Sequence, residues 1–292
     1  MKYILGTAQF GLDYGISNKK GKLKISDIER ILIKAKEKKV DYLDTASAYG
    51  EAETTIGNLY DLTCDFKIIT KTAHFKKEYS HLQNIDRVTN EFNHSLAKMK
   101  RPFADVLLIH NTEDILGETG YDLFEALEKI KDSGKALKIG VSVYTTNELS
   151  ELYRNFPIDF VQYPLNVYNQ SFLESSLLYD LKLKGIELHA RSIFLQGLLL
   201  MPPKKLSSYF ESIRKHHEKY YEFLDKNNLS SIEGALNFLT YADNLDGIVF
   251  GVESCNQLSD VIDTLKNVSY DLDYRKFKVD DEKITNPSNW RI

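Results

Sequence analysis

Cysteine is scarce in this chain, with two in 292 residues. Cys64 and Cys255 lie far apart and show no metal-ligand spacing, so neither a disulfide framework nor a cysteine metal centre is expected. Two free thiols suit a reducing compartment, and a cytoplasmic location is the expectation. Long apolar runs are missing too. No window approaches the roughly 20 apolar residues that a membrane helix requires. The apolar run in "MKYILGTAQFG" breaks at Gly6, too early for a secretory leader. Charge of one sign is not in excess: 38 Lys and Arg against 42 Asp and Glu leave a net −4. That balance offers no electrostatic case for nucleic acid or an anionic membrane. No GxGxxG occurs, which argues against a Rossmann dinucleotide fold. No repeat, low-complexity tract or composition break divides the chain.

What is present is a hydrophobic fraction of 42%, enough for a large core. Short, almost continuously apolar runs recur at residues 3–8, 42–44, 66–71, 105–110, 137–142, 159–164, 186–191 and 247–251. This is the pattern of parallel strands buried on both faces. Between them lie helix-period stretches. "SDIERILIKAKEKK" is read as opening on a Ser/Asp cap, with Ile28, Ile31, Leu32 and Ala35 on one face. "DLFEALEKIKDSG" and "SFLESSLLYDLKLKG" stop at glycine. Eight strands, each followed by a helix, predict an α/β fold: a single-domain (β/α)8 TIM barrel over residues 1–292. A long insert at 199–229 and a polar, irregular tail from about residue 270 exceed the bare barrel. Such excursions are expected over the active face.

In a barrel of this kind chemistry gathers at the C-terminal strand ends. Strand two ends in Asp44, strand three in Lys71 and strand four in His110, and Tyr49 follows Asp44 closely. Each has a plain reading alone: a helix cap, a solvated charge, a satisfied histidine and a packed aromatic. Their conjunction at successive strand ends describes one device. A phenol with a free pKa of ~10 is a poor acid at neutral pH. A nearby Lys⁺ is expected to lower that value, and a buried carboxylate would hold the lysine. A neutral imidazole would orient a carbonyl oxygen. Together they form a general acid for a carbonyl. None of these groups donates electrons, so a redox cofactor is implied.

"LGTAQFG", "DTASAYGEAE", "IITKT", "LLIHN", "GVSVY", "VQYPLNV", "ARSIFLQGLL" and "FGVESCNQLSDVI" follow one another in an order that resembles the aldo-keto reductases. The resemblance covers essentially the whole chain. It implies that Tyr49 is the general acid, that Lys71 and Asp44 tune it, and that His110 orients the carbonyl. It implies NADP(H) or NAD(H) bound across the barrel mouth. Gly6 and Thr7 of the first-strand motif would be among the cofactor-binding residues, and Ser142 and Gln162 would hold the nicotinamide carboxamide. Arg191 takes the place of a stacking aromatic, while Ser192, Leu195 and Gly197 would line the pyrophosphate loop. Gly251, Glu253, Ser254, Gln257 and Asp260 would surround the adenosine end. The chain departs from the pattern at Val143, where the family often has Asn, and at Arg191. The adenosine-end motif also lacks Lys and Arg. A 2′-phosphate wants a cation, whereas Glu253 suits a ribose 2′-OH, so both cofactors remain open.

Other signals are read as structural. "RKHHEK" (214–219) is read as a solvated helix rather than a metal site. His74 is read as a loop histidine and His189 as structural. "NKKGKLK" carries too few charges for nucleic acid. Tyr14, Tyr144 and Phe194 fall on upper loops where substrate would lie. The reading is an NAD(P)-dependent oxidoreductase acting on an aldehyde, ketone or sugar carbonyl, as a monomer or simple homo-oligomer. The alternatives are a cofactor-binding regulatory module without turnover, or an NAD-cycling sugar epimerase or dehydratase on the same barrel.

Overall fold

The computed structural model describes residues 1–19, 21–73, 81–117 and 120–290. His74 lies outside these residues. Eight parallel strands close into a barrel in chain order. They are β1 (Lys2–Gly6), β2 (Tyr42–Asp44), β3 (Lys67–Lys71), β4 (Ala104–Ile109), β5 (Ala136–Ser142), β6 (Phe160–Pro164), β7 (Glu187–Arg191) and β8 (Gly247–Phe250). Each falls within two residues of its expected bounds at either end. β1 pairs with both β2 and β8, which closes the ring.

Alternation along the strands sorts their side chains into two cores. Ile4, Tyr42, Ile69, Val106, Leu108, Phe160 and Val249 meet inside the barrel. Their neighbours Leu5, Leu43, Ile68, Leu107, Val161 and Ile248 face outward and pack with the helix layer. The helices follow their apolar stripes. On Ile25–Glu37 the buried residues are Ile28, Ile31, Leu32 and Ala35, the face read from the sequence. Its start differs from expectation. Lys24 occupies the cap position, and Ser26 and Asp27 lie inside the first turn. The helices Thr146–Asn155 and Ser231–Phe238 each open on a complete capping box, Thr145 with Glu148 and Ser230 with Glu233.

The insert corrects two readings. Its helix, Arg214–Lys226, is not simply solvated, because His217 is fully buried. His217 Nε2 donates to the Met201 carbonyl at 2.7 Å, and its Nδ1 accepts from the Tyr168 hydroxyl at 2.6 Å. Burial lowers the His217 pKa, which keeps the imidazole neutral and suits that pattern. The tail is anchored as well. Trp290 packs edge-on against Phe210, and Phe277 packs against Tyr220. Insert and tail therefore form one aromatic cluster with Tyr168. The partners of the insert's buried face come from distant segments.

At the N-terminal end of the barrel Glu187 accepts from Lys2 (2.5 Å), Lys138 (2.6 Å) and His189 (2.8 Å). His189 is fully buried against Phe160, in keeping with its structural reading. Burial works to raise the Glu187 pKa. The bonds from His189, Lys138 and Lys2 outweigh it and hold the carboxyl well below its ordinary 4.5. A depressed carboxyl contributes stability that is present above the unfolded-state value and lost as pH falls through the folded one. Glu187→Gln should therefore lower the urea midpoint at pH 7, with a smaller gap from wild type at pH 3. Equal gaps at the two pH values would show that the carboxylate is not the stabilising species.

Candidate active site

The two-residue period of the strands builds the site. The inward positions above the apolar interior are Gly6, Asp44, Lys71, His110, Ser142, Gln162, Arg191 and Gly251, one from the end of each strand. All eight line a cavity of about 380 Å³ in the barrel mouth, a size typical of small-molecule sites. Tyr49, on the turn after β2, joins them there.

Asp44 and Lys71 form an ion pair at 2.6 Å, with side chains 4% and 1% exposed. Burial on this scale is costly unless every polar atom is satisfied. Lys71 Nζ also donates to the Thr45 carbonyl at 2.9 Å, and Gln162 Nε2 donates to the second Asp44 oxygen at 2.8 Å. The Lys71 ammonium lies 5.2 Å from the centre of the Tyr49 ring, and His110 meets that ring edge-on at 5.9 Å. The four residues named from strand order thus converge.

The electrostatics differ from the expectation in one respect. Tyr49 is pushed well above its ordinary pKa, first by burial and then by the Asp44 charge, while Arg191 pulls it down. The lowering expected from Lys71 does not prevail in the resting cavity. The phenol stays protonated at neutral pH. Burial lowers the Lys71 pKa from its ordinary value, and Asp44 opposes that shift.

Arg191 is fixed in the mouth. Its Nε donates to the Ser142 hydroxyl (3.3 Å), one terminal nitrogen to Ser192 Oγ (3.2 Å), and the other to the Val143 carbonyl (3.0 Å). The guanidinium stacks on the Tyr144 ring at 4.3 Å. Position 143 thus contributes its backbone oxygen to Arg191, a role that does not depend on its side chain.

Beyond Tyr49 and Lys71 the cavity is lined by Ser192 and Gly197 and by Gly251, Glu253 and Gln257. Ser192, Leu195, Gln196 and Gly197 all take positive φ, at 57°, 48°, 52° and 91°. Three non-glycine residues in that region are a local cost of the kind that functional loops bear. The Ile16 amide donates to the Gln196 carbonyl at 3.1 Å, so the loop after β1 meets the loop after β7. A Cβ on Gly197 would stand 2.2 Å from Ser17 Oγ. A cavity walled here by backbone turns and by polar side chains such as Ser17, Gln196 and Gln257 fits a dinucleotide.

Four other residues selected for the cofactor lie off the cavity wall. Thr7 is buried and donates its hydroxyl to the Asp44 carbonyl at 3.0 Å, so it supports Asp44. Leu195 is fully buried in the core. Asp260 is exposed on the helix Cys255–Asn267, whose N-terminus Ser254 caps by accepting from the Gln257 amide. Ser254 faces an adjoining groove instead. Tyr14, Tyr144 and Phe194 do line the cavity. So do Gln9, Ser17, Gln196 and Ser288, which the sequence reading did not select. Gln9 and Gln196 sat inside quoted motifs. Ser17 and Ser288 carry no local signal. Of the insert only Leu200 reaches the wall, while the tail contributes Pro287 and Ser288.

Comparisons with known proteins agree with this fold. The chain is 26% identical to aldo-keto reductase YhdN of Bacillus subtilis (strain 168) over 149 residues. That match spans 48% of this chain and 44% of the relative's length. Its fold resembles the holo form of aldo-keto reductase AKR11C1 from Bacillus halodurans, with a TM-score of 0.73 and 17% identity over 94% of this chain and 90% of that one. It also resembles the glycerol dehydrogenase AKR11B4 from Gluconobacter oxydans, with a TM-score of 0.66 and 19% identity over 94% and 88% of the two chains. The Aldo/keto reductase family model matches residues 2–278. With that match across nearly its whole length, the chain belongs to the aldo/keto reductase family.

Proposed function

We propose that the protein reduces an aldehyde or ketone with Tyr49 as the proton donor. The observation that carries this reading is the buried Asp44–Lys71 pair beneath the Tyr49 ring. A bound nicotinamide supplies the two electrons. Ser142, Gln162, Arg191, Ser192, Gly197, Gly251, Glu253 and Gln257 line the channel that would hold the dinucleotide.

The chain's own residues manage the proton. Tyr49 is held as a neutral phenol at neutral pH, which is the state an acid needs. A carbonyl oxygen that gains negative charge becomes a stronger base than the phenolate, so the proton moves to it only as the reaction proceeds. The tyrosinate left behind then lies beside Lys71⁺ and near Arg191⁺. Lys71 holds its proton less tightly than an exposed lysine, so it can pass one back to Tyr49. His110, at the edge of the Tyr49 ring, is placed to steer the carbonyl oxygen toward the phenol.

The rim around these groups mixes aromatic faces with hydrogen-bonding groups: Tyr14, Tyr144, Phe194, Gln9, Gln196 and Ser288. That mixture suits a hydroxylated carbonyl such as a sugar aldehyde or keto-sugar. The test is a panel of matched aldehydes, hydroxylated and plain. Hydroxylated members should show the higher kcat/KM. Tyr49→Phe should cut kcat by about 10²–10⁴ while cofactor affinity stays within a factor of two or so. A Tyr49→Phe enzyme at full rate would remove Tyr49 from the role of acid.

The pH profile offers an independent check. The acid is active when protonated, and Lys71⁺ must be present to receive the charge. Both groups are charged or protonated at low and neutral pH and lose their protons as pH rises. The reduction rate should therefore be level through neutrality and fall on the alkaline side. That limb belongs to the coupled Tyr49–Lys71 pair rather than to either group alone. Lys71→Met should lower the rate and displace the limb. An unchanged limb in that variant would break the link between Lys71 and the proton step.

A further inference from the structure

The helix of the insert, Arg214–Lys226, ties one stripe of its side chains to the backbone that follows β7. Arg214, His217 and Tyr221 recur at helical spacing and so share a face. Tyr221 donates its hydroxyl to the Leu199 carbonyl at 3.3 Å, and His217 Nε2 donates to that of Met201 at 2.7 Å. Arg214 donates to the carbonyls of Pro203 (2.7 Å) and Leu206 (3.2 Å). The segment from Leu199 to Leu206 therefore runs antiparallel to the helix. His217 is fixed at its other ring nitrogen by Tyr168, and both side chains are fully buried. From the same loop after β6, Asn166 donates to the Ser192 carbonyl at 3.0 Å.

We propose that His217 is a positioning residue for the turn at 192–201, pinning this part of the cavity wall from behind. The assignment rests on the reading of the cavity as the dinucleotide channel. Ser192, Leu195 and Gln196 all hold positive φ, and strained backbone of this kind persists only where its surroundings over-determine it. Asn166 holds the turn at its start and His217 holds it at its end. Between these two anchors Phe194, Gln196, Gly197 and Leu200 line the cavity. Met201 follows Leu200 directly, so a shift of its carbonyl is carried into the wall. Arg214, His217 and Tyr221 themselves lie off the cavity wall, and their effect passes through the turn. Loss of the His217 anchor lets the turn open, and a bound dinucleotide then leaves sooner.

The experiment is a stopped-flow measurement of NADPH and NADH release from the full-length protein, read by nicotinamide fluorescence, with urea midpoints taken alongside. His217→Asn keeps an acceptor near the Nδ1 position for Tyr168 but falls short of Met201. His217→Gln places an amide donor near the Nε2 position and keeps the Met201 bond. Each variant loses one of two buried hydrogen bonds, so their urea midpoints should fall by similar amounts. Release should quicken by about tenfold in His217→Asn and by less than about threefold in His217→Gln. Tyr221→Phe, at the half-buried end of the stripe, should quicken release by about threefold and decides the matter where the core variants do not fold. An unchanged rate in His217→Asn or in Tyr221→Phe, or equal quickening in the Asn and Gln variants, would overturn the positioning role while leaving the channel intact. A wild-type protein that binds neither dinucleotide would overturn the channel and the positioning role together.

Discussion

Everything at the mouth of this barrel depends on one buried ion pair. Asp44 and Lys71 lie on adjacent strands with almost no contact with water. Two charges taken out of water persist only when their geometry is good and their remaining hydrogen-bonding capacity is filled. The fold meets both conditions. Asp44 receives Lys71 on one oxygen and Gln162 on the other, and Lys71 also reaches the Thr45 carbonyl. Gln162 comes from the opposite side of the ring, so the pair is satisfied only when the barrel closes. The same closure sets Lys71 under Tyr49 and fixes the face the phenol presents.

That arrangement explains an electrostatic balance which no single residue type announces. Burial and Asp44 hold Tyr49 protonated, while Arg191 acts in the opposite sense from across the mouth. The phenol is thus kept in its proton-bearing form, with the cations Lys71 and Arg191 in the same cavity. Arg191 is able to serve because its guanidinium is locked by Ser142, Ser192, the Val143 carbonyl and the Tyr144 ring. The channel leading away from it owes its shape to backbone. Positive φ along 192–197 and the meeting of Ile16 with Gln196 bring two loops together beside it.

Much of this was legible before any fold was known. Strand positions were readable because each apolar run is bounded by polar residues, and the inward layer was readable because the period is two. Asp44, Lys71 and His110 stood out as polar groups at the ends of apolar strands. Thr7 and Leu195 were chosen by their place in a motif, and the structure turns them into support and core. A motif preserves neighbours, not the direction of each side chain. The histidines of "RKHHEK" misled in the other direction. Their composition looks solvated, yet His217 is enclosed by Tyr168, Met201 and Tyr221.

By itself the sequence determined the barrel, the order of its strands and the convergence of Asp44, Tyr49, Lys71 and His110, because strand alternation and strand ends are local properties of a chain. Only the tertiary structure decided the direction of the Tyr49 pKa, the anchoring of Arg191 and the charge around Glu253. Each of those depends on distance between groups far apart in sequence. Lys22, Lys24 and Arg30 show nothing in their own segment of lying across a groove from Glu253, a placement that only barrel closure arranges.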